Sequence, residues 1–387
     1  MNAPPELDRQ TGSTVPTTDN LSTLLAEIRA RRTEFVVAQK IPDDIIRDFK
    51  RLGVYRAMVP KRFGGEERTP SEFCRLIERI SEADGSAGWV ASFGYAACEL
   101  AALPDETLRK LYVNGPDVVY AGGLFPLQPA KRTTGGFVVR GVWPFGGGSP
   151  GADIIGVGIT VEGDPTDDLP RVAVMPADRV TIRQNCDVIG LQGTGSNEIV
   201  VRDVLVPEEW TLIRGDRATL DAPIYRYPSV GFAAQVHAIV GIGIARSALD
   251  DVITIARSCA SITGAAVMAE RSYIQLRIAR AEAMLRSVRS FFYEATEELW
   301  NEALVGEVNP NTVILMRLAA TNAAQCSAEI VGIACGLAGV SSVYMTNNLA
   351  RAMCNSSVLA QHPDFSEGTL QSAGRLLLGL PVQPDFP

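Results

Sequence analysis

The stretch GLQGTGSNEIVV, residues 190–201, places three glycines within six positions and then continues as a run rich in β-branched residues. Glycine-rich turns often bind phosphate, but the spacing of Gly190, Gly193 and Gly195 matches neither G-x-G-x-x-G nor the P-loop. Both phosphate motifs open a helix, whereas this turn enters a strand. We therefore interpret residues 190–196 as a turn between strands, in which glycine supplies positive φ.

Short runs of β-forming residues surround this turn from about residue 116 to residue 212, and Gly, Pro and Asp separate them. They predict a compact antiparallel β-domain over 116–212. Helical patterns flank it on both sides. We predict an α+β fold with an N-terminal helical domain over 21–115, the β-domain, and a C-terminal helical bundle over 213–387. Residues 1–20, rich in Pro, Thr and Asp, are expected to form a disordered tail.

The C-terminal region contains one long apolar seam with alternating steps of four and three residues. Such a seam is suited to a helix bundle or to packing against another subunit. Its members are Ile274, Ile278, Ala281, Leu285, Val288, Phe292, Ala295 and Leu299.

Composition excludes several function classes. With 46% hydrophobic and 21% charged residues, the chain has the composition of a globular protein with a large core. A net charge of −8 argues against nucleic acid or an anionic membrane as a partner. No apolar run reaches the length of a membrane span, and the N-terminus does not resemble a signal peptide. Seven cysteines without a C-x-x-C pair indicate reduced thiols, so we expect a cytoplasmic protein.

The chemistry-bearing residues do not form a self-sufficient catalytic set. The two histidines, His237 and His362, are far apart and form no H-x-x-x-H pattern, so we expect no metal site. No G-x-S-x-G elbow is present. If the protein is an enzyme, a bound organic cofactor is expected to supply the difficult chemistry.

Five motifs in a fixed order extend this interpretation: PKRFGG (60–65), SEADGSAGWVASF (81–93), GGFVVRGVWPFGGGSPGAD (135–153), GLQGTGSNEIVVRDVLVP (190–207) and QHPDFSEGTLQSAGRLLLGLP (361–381). Together they resemble the acyl-CoA dehydrogenase fold, in the branch of two-component flavin-dependent monooxygenases. The resemblance implies an oxygenase component that hydroxylates an aromatic or polycyclic small molecule. It would use reduced flavin (FMN or FAD) and O2 through a C4a-hydroperoxyflavin.

The resemblance also implies where the flavin lies. The ring would lie against the stretches 123–126 and 143–149, with Phe125 and Phe145 beside it. Gly147, Gly148 and Ser149 would bring backbone N–H groups close to the flavin edge. The family often has Ser or Thr where this chain has Gly147, so a hydrogen bond near the flavin is missing or comes from Ser149 or the backbone. Phe145 could equally be an ordinary core aromatic.

His362 matches a histidine that several of these oxygenases place over the flavin, where an imidazole can accept or donate a proton. The alternative is a structural histidine at a helix end. Phenol-hydroxylating relatives carry a further histidine shortly after the GWVAS stretch, which this chain lacks. Tyr95, Cys98 and Glu99 are the candidate pocket residues there, although Cys98 could be an inert buried thiol.

Two other functions remain open from the sequence. One is an acyl-CoA dehydrogenase, with Glu367 of the Ser-Glu-Gly-Thr stretch as its base. The other is a flavin-free binding scaffold. We also expect a separate flavin reductase, because no nicotinamide-binding motif is present, and a homotetramer in which Arg271 and Arg277 contact the flavin phosphate of a neighbouring subunit.

Overall fold

The computed structural model describes residues 18–163, 169–185, 187–258 and 267–382. The first helix begins at Thr18, so it overlaps the end of the predicted tail. Residues 1–17 of that tail lie outside the described residues.

The N-terminal region is helical, as predicted. Its helices are α1 (Thr18–Ala38), α2 (Asp43–Arg51), α3 (Pro70–Ala83), α4 (Gly85–Ser92), α5 (Ala96–Leu100) and α6 (Asp105–Leu111). A capping box between Thr69 and Glu72 starts α3, with Pro70 in the first turn, where its missing N–H costs nothing. The carboxylate of Asp84 caps α4 by accepting from the Ala87 N–H at 2.9 Å.

A seven-stranded sheet follows in the order β5-β6-β2-β1-β3-β4-β7. The strands are β1 (Tyr120–Thr133), β2 (Gly136–Gly146), β3 (Ile154–Val161), β4 (Arg171–Pro176), β5 (Thr181–Arg183), β6 (Asn197–Pro207) and β7 (Thr211–Ile213). Neighbouring strands are antiparallel except β1 and β3, which pair in parallel. The predicted antiparallel domain is therefore correct for most of its pairs, and the exception arises because β2 crosses to the far side of β1 before β3 begins.

The C-terminal region is helical. Its helices are α7 (Pro223–Arg226), α8 (Ser229–Ser258), α9 (Ser272–Val305), α10 (Pro310–Ala338), α11 (Asn348–Ala360) and α12 (Glu367–Leu377). Helix α8 is the central element: it is buried along most of its length and contacts α3, α4, α10 and α11. Close approach is possible because Gly243 of α8 meets α3, where an added Cβ would lie 2.5 Å from the Cβ of Ser81.

The apolar seam of α9 packs inside its own subunit. Ile274, Leu285, Phe292 and Leu299 are all buried in the single chain, in the same core as α8. Of the two roles that the sequence left open, the seam therefore serves the helix bundle. It no longer supports an intersubunit contact.

Helix α10 with the turn after it, residues Pro310–Val343, is long and apolar enough to span a membrane by length and composition. It packs against α8 and α9. Its buried positions include Arg317, a charged residue that the helix holds against Asp364 and Thr369.

The glycine-rich turn at 190–195 joins the β-domain to the helices. The Leu191 N–H donates to the side-chain oxygen of Asn355 on α11 at 2.6 Å. A Cβ at Gly190 would lie 2.3 Å from the Cys354 carbonyl oxygen, and Gly195 has φ of +65°. The glycines therefore allow close backbone contact with α11, in agreement with a structural turn.

Candidate active site

The fold brings the two histidines of the chain together around one carboxylate. Asp364 Oδ2 lies 2.9 Å from His237 Nδ1 and 3.2 Å from His362 Nδ1. The two imidazole centroids are 5.0 Å apart. His237 comes from the middle of α8, whereas His362 and Asp364 lie in the turn between α11 and α12. The distance between the histidines in sequence concealed this proximity.

The protein shifts the pKa values of Asp364 and His237 in this cluster. Burial alone would raise the pKa of Asp364, but the imidazoles of His362 and His237 outweigh it and hold that pKa well below its ordinary value. Burial lowers the pKa of His237, against the opposing hydrogen bond to Asp364. The cluster is therefore best described as an ionised Asp364 that accepts from two imidazole N–H groups.

The proton position on His362 follows from its neighbours. An ionised carboxylate 3.2 Å from Nδ1 favours a proton there, which leaves the Nε2 lone pair available. The Asp364 backbone N–H also points at Nδ1, at 3.3 Å, and competes for the same atom. We favour the Nδ1–H tautomer because the charged acceptor is the stronger partner. His362 is one-third exposed, so its Nε2 can meet a ligand.

Aromatic rings from α4 and the turn after it enclose the histidines. The Trp89 ring is stacked on His237 with centroids 4.4 Å apart and meets His362 at 5.5 Å. The rings of Phe93 and Tyr95 meet His237 edge-on, at 6.3 and 6.1 Å. Within the SEADGSAGWVASF motif, Gly85 lets α4 approach α8, because a Cβ there would lie 2.7 Å from Ile244.

The glycine loop at the end of β2 lies against these rings. A Cβ at Gly147 would be 3.3 Å from Trp89 Nε1, and a Cβ at Gly148 would be 3.1 Å from Phe93. The N–H of Gly147 already donates to the Phe145 carbonyl, and that of Gly148 to the Thr194 carbonyl. Both N–H groups are therefore already paired within the protein, and the closeness of Gly147 and Gly148 to the flavin edge stays a prediction. The loop glycines provide space beside Trp89 and Phe93.

The sequence suggested Ser149 as the hydroxyl group near this loop, but the structure places a different hydroxyl group beside Gly147. Ser149 is buried, and its hydroxyl donates to the Gly195 carbonyl at 3.5 Å, a weak contact directed inward. The hydroxyl groups of Thr194 and Ser196 bond each other at 2.8 Å. Ser196 Oγ would be 3.4 Å from a Cβ at Gly147, so it is the hydroxyl beside the position where relatives often carry Ser or Thr. The Gly-Thr-Gly-Ser motif contains this residue, but its spacing gives no sign of this role.

Two exposed aromatic residues stand at the same end of the β-domain. Phe145 is 72% exposed and has φ of +58°, and Phe125 is 47% exposed. Phe145 is thus not a core aromatic. Exposed phenyl rings beside a glycine loop fit the flat face of a flavin ring, because such a contact buries them. These residues would hold the isoalloxazine, with the loop glycines making room for it.

The predicted pocket residues separate into two groups. Tyr95 and Glu99 are buried together, and the Tyr95 hydroxyl donates to Glu99 Oε2 at 3.3 Å. Burial raises the pKa of Glu99, because it outweighs the nearby Arg214 guanidinium and the Tyr95 hydrogen bond. Cys98 faces the other way, toward Tyr112 and Tyr225, and burial raises the pKa of its thiol. Cys98 therefore has the surroundings of an inert thiol.

The other predicted residues lie away from this cluster. Arg271 precedes the first residue of α9, and Arg277 is exposed on that helix near Gly336. Among the described residues, neither arginine contacts either histidine. Glu367 is the exposed first residue of α12. This position stabilises the helix through its dipole and leaves the carboxylate outside the aromatic enclosure.

The cluster also bears on metal binding. His237, His362 and Asp364 each offer one ligand atom, and these atoms lie within 4.8 Å of one another. The three residues could therefore hold a cation. The separation of the histidines in sequence therefore does not exclude a metal site, and the expected absence of one is not supported by this geometry. In the structure the same atoms are joined by hydrogen bonds.

Comparisons with known proteins show which family the chain belongs to. Residues 22–115 match the acyl-CoA dehydrogenase N-terminal domain, and residues 235–367 match the acyl-CoA dehydrogenase C-terminal domain. The chain is 48% identical to an indole-3-acetate monooxygenase of Pseudomonas putida, over 92% of each chain. It is 31% identical, over 52% of its length and 53% of the relative's, to the oxygenase subunit HsaA of a flavin-dependent monooxygenase of Rhodococcus jostii. The structure of XiaF from Streptomyces sp. in complex with FADH2 and glycerol has a TM-score of 0.84 at 20% identity, covering 95% of this chain and 98% of that one.

The chain belongs to the two-component flavin-dependent monooxygenases of the acyl-CoA dehydrogenase superfamily. The predicted oxygenase component, an enzyme that hydroxylates an aromatic compound with reduced flavin and dioxygen, is confirmed. The dehydrogenase and flavin-free scaffold alternatives are not supported.

Proposed function

We propose that this oxygenase acts on indole-3-acetate or a closely similar indole carboxylate. The observation that carries the proposal is the 48% identity to an indole-3-acetate monooxygenase, which extends over 92% of both chains. The structure supports the proposal through an enclosure of aromatic rings, which suits a flat bicyclic substrate.

The proposed substrate position lies between the aromatic enclosure and the glycine loop. Trp89, Phe93 and Tyr95 would pack against the indole ring and exclude water. His362 is the side chain that reaches this space with a free ring nitrogen, and we assign it to accept or donate a proton at Nε2. Asp364 would fix the ring of His362 and stabilise its protonated form.

The flavin would lie on the β-domain side, against Phe125, Phe145 and the loop at 146–149. When bound, reduced flavin activates dioxygen and supplies the oxygen atom that the substrate receives. The chain's own contribution is to orient the two reactants and to keep water away from them. The reduced flavin would come from a separate reductase.

The test is a single-turnover assay without a reductase. Flavin is reduced chemically under anaerobic conditions, mixed with protein and indole-3-acetate, and then exposed to oxygen. We expect a product heavier by one oxygen atom, detected by mass spectrometry. NADH with oxidised flavin should give no product until a reductase is added. If the assay yields hydrogen peroxide in amounts equal to the reduced flavin and no oxygenated indole, the proposed substrate is wrong.

We also propose that the protein is a homotetramer, with contacts made by the C-terminal region. The turn after α10 exposes Val340, Val343 and Tyr344, and the end of α12 exposes Leu377 and Leu378. Exposed apolar residues in this number are typical of a surface that another chain covers. Light scattering coupled to size exclusion should give four times the chain mass. A double substitution of Leu377 and Leu378 to Glu should lower it, and a wild-type monomer at micromolar concentration would contradict the proposal.

A further inference from the structure

Arg214 is a buried cation with no hydrogen-bond partner among the described residues. It follows β7 directly and is only 6% exposed. Its guanidinium makes no hydrogen bond or ion pair within that part of the chain, and its Nε is fully buried with no acceptor. Arginine stays protonated in proteins, so its N–H groups remain donors when buried. A buried N–H without an acceptor is costly, which indicates that a ligand supplies the missing acceptor.

Acidic groups near Arg214 offset its burial without bonding to it in the described part of the chain. Burial alone would lower the pKa of Arg214, but nearby charges, those of Glu99 and Asp364 among them, outweigh it and raise that pKa. Neither carboxylate forms an ion pair with Arg214 among the described residues. Oδ2 of Asp364 is occupied by the two imidazoles. Glu99 binds the Tyr95 hydroxyl through Oε2, while its Oε1 is buried without a partner. The raised pKa of Glu99 further weakens it as a counter-charge.

Arg214 lies near the carboxylate that holds both histidines. The Tyr95 ring, which touches His237 edge-on, carries the hydroxyl that reaches Glu99. Arg214 interacts electrostatically with Tyr95, Glu99 and Asp364, so it is close to the residues beneath the aromatic enclosure. A ligand whose aromatic part meets Trp89 and His362 could therefore extend an acidic group toward Arg214.

We propose that Arg214 determines specificity by binding the carboxylate of an aromatic acid substrate. Two parallel N–H groups of a guanidinium match the two oxygens of a carboxylate, and such bonds are strong when water is excluded. The bound acid would orient the ring for oxygenation next to His362. This inference rests on the proposed function, since it names the group by which an indole carboxylate is recognised.

The first test uses the wild-type protein and needs no variant. Binding of indole-3-acetate and of indole-3-acetamide is measured by titration calorimetry, without flavin and then with oxidised flavin. The amide has nearly the same shape but no charge. We expect the acid to bind at least about tenfold more tightly, because a charge-assisted pair is lost with the amide. Equal affinities would overturn the proposal.

The second test substitutes the arginine. Arg214→Gln should weaken binding of indole-3-acetate by about 10- to 100-fold and change binding of the amide by less than about threefold. Arg214→Lys keeps the charge but not the paired N–H groups of the guanidinium. Its affinity for indole-3-acetate should lie between those of the wild-type protein and Arg214→Gln. Arg217→Gln is the matched control, because Arg217 is largely exposed and pairs with the exposed Glu307. Thermal unfolding checks that each variant is folded.

The outcomes separate this proposal from the proposed function. If folded Arg214→Gln binds indole-3-acetate and indole-3-acetamide more weakly by the same factor, Arg214 has a structural role and the proposal is wrong. If neither variant folds, the wild-type comparison of acid and amide decides. If wild-type protein oxygenates no indole, phenylacetate and phenylacetamide are compared in the same binding assay. An Arg214-dependent preference for phenylacetate would retain the carboxylate site and reject only the indole ring.

Discussion

Asp364 Oδ2 lies 2.9 Å from Nδ1 of His237, a residue 127 positions earlier in the chain. The same oxygen contacts His362, so one carboxylate fixes both imidazoles of the protein. His237 is buried against Trp89 and cannot reach a ligand with Nδ1, whereas His362 is partly exposed. His362 is thus the side chain that we propose as the acid–base group, with Asp364 and His237 holding it in position.

His362→Ala should remove acid–base assistance while retaining the flavin site. We expect product formation to fall by about 10²–10⁴-fold, the usual contribution of a general acid or base. Flavin affinity should change little, because the predicted flavin contacts lie on the β-domain. Reduced flavin should then be consumed with release of hydrogen peroxide, measured by a peroxidase assay alongside the indole product.

Glu367→Gln is the control for this experiment. Glu367 is exposed at the start of α12, so its loss should leave oxygenation unchanged. If His362→Ala hydroxylates at the wild-type rate with unchanged coupling, His362 is structural and the assignment fails. Oxidation of an acyl-CoA that depends on Glu367 would instead favour a dehydrogenase.

Asp364→Asn tests the positioning role separately. The amide keeps the shape but removes the negative charge that stabilises protonated His362. We expect the rate of product formation to fall by about 10- to 100-fold, less than for loss of the imidazole itself. The share of reduced flavin released as hydrogen peroxide should also rise, because His362 is no longer held in position. A lower rate with wild-type coupling in the folded variant would show that Asp364 does not position His362.

Stability should depend on pH through His237. Burial lowers its folded-state pKa, whereas an unfolded histidine takes up a proton near pH 6.5. Its contribution to the free energy of unfolding is therefore complete above about pH 6.5 and decreases as the pH falls toward its folded-state pKa. The slope from this group can reach about 1.4 kcal/mol per pH unit.

Urea denaturation of the wild-type protein and His237→Gln between pH 5 and 8 measures this contribution. The substituted protein should be less stable at pH 8 but should lose less stability on acidification. The Asp364 carboxylate remains ionised across this range, because its folded-state pKa is well below the ordinary value. Parallel curves for the two proteins would show that His237 does not titrate as inferred.

The order of domains could be read from the sequence because periodicity and turn residues act locally. The N-terminal cap of α3 and the structural turn at 190–196 were both predictable in this way. The parallel pairing of β1 with β3 depends on contacts across the sheet and has no local signal.

The active site was only partly predictable for the same reason. His362 and Tyr95 could be proposed from motif positions, whereas their partners could not. His237 lies in an apolar helix and resembles an ordinary core residue, and Arg214 lies in a polar linker. Their importance comes from burial beside Asp364 and Glu99, which only the folded chain creates.

Gly147 gives a test of the space between the β-domain and Trp89. A Cβ there would lie 3.3 Å from Trp89 Nε1 and 3.5 Å from Phe93, so Gly147→Ala should be tolerated with small adjustments. Gly147→Val should displace the Trp89 ring and cost about 1–3 kcal/mol of stability, as overpacking usually does.

Gly147→Val should also weaken flavin binding, measured by fluorescence titration, and shift the Trp emission spectrum. Gly374→Ala on α12, where no atom lies within 4 Å of an added Cβ, is the control and should leave flavin binding unchanged. Wild-type flavin affinity in folded Gly147→Val would place the cofactor away from this loop.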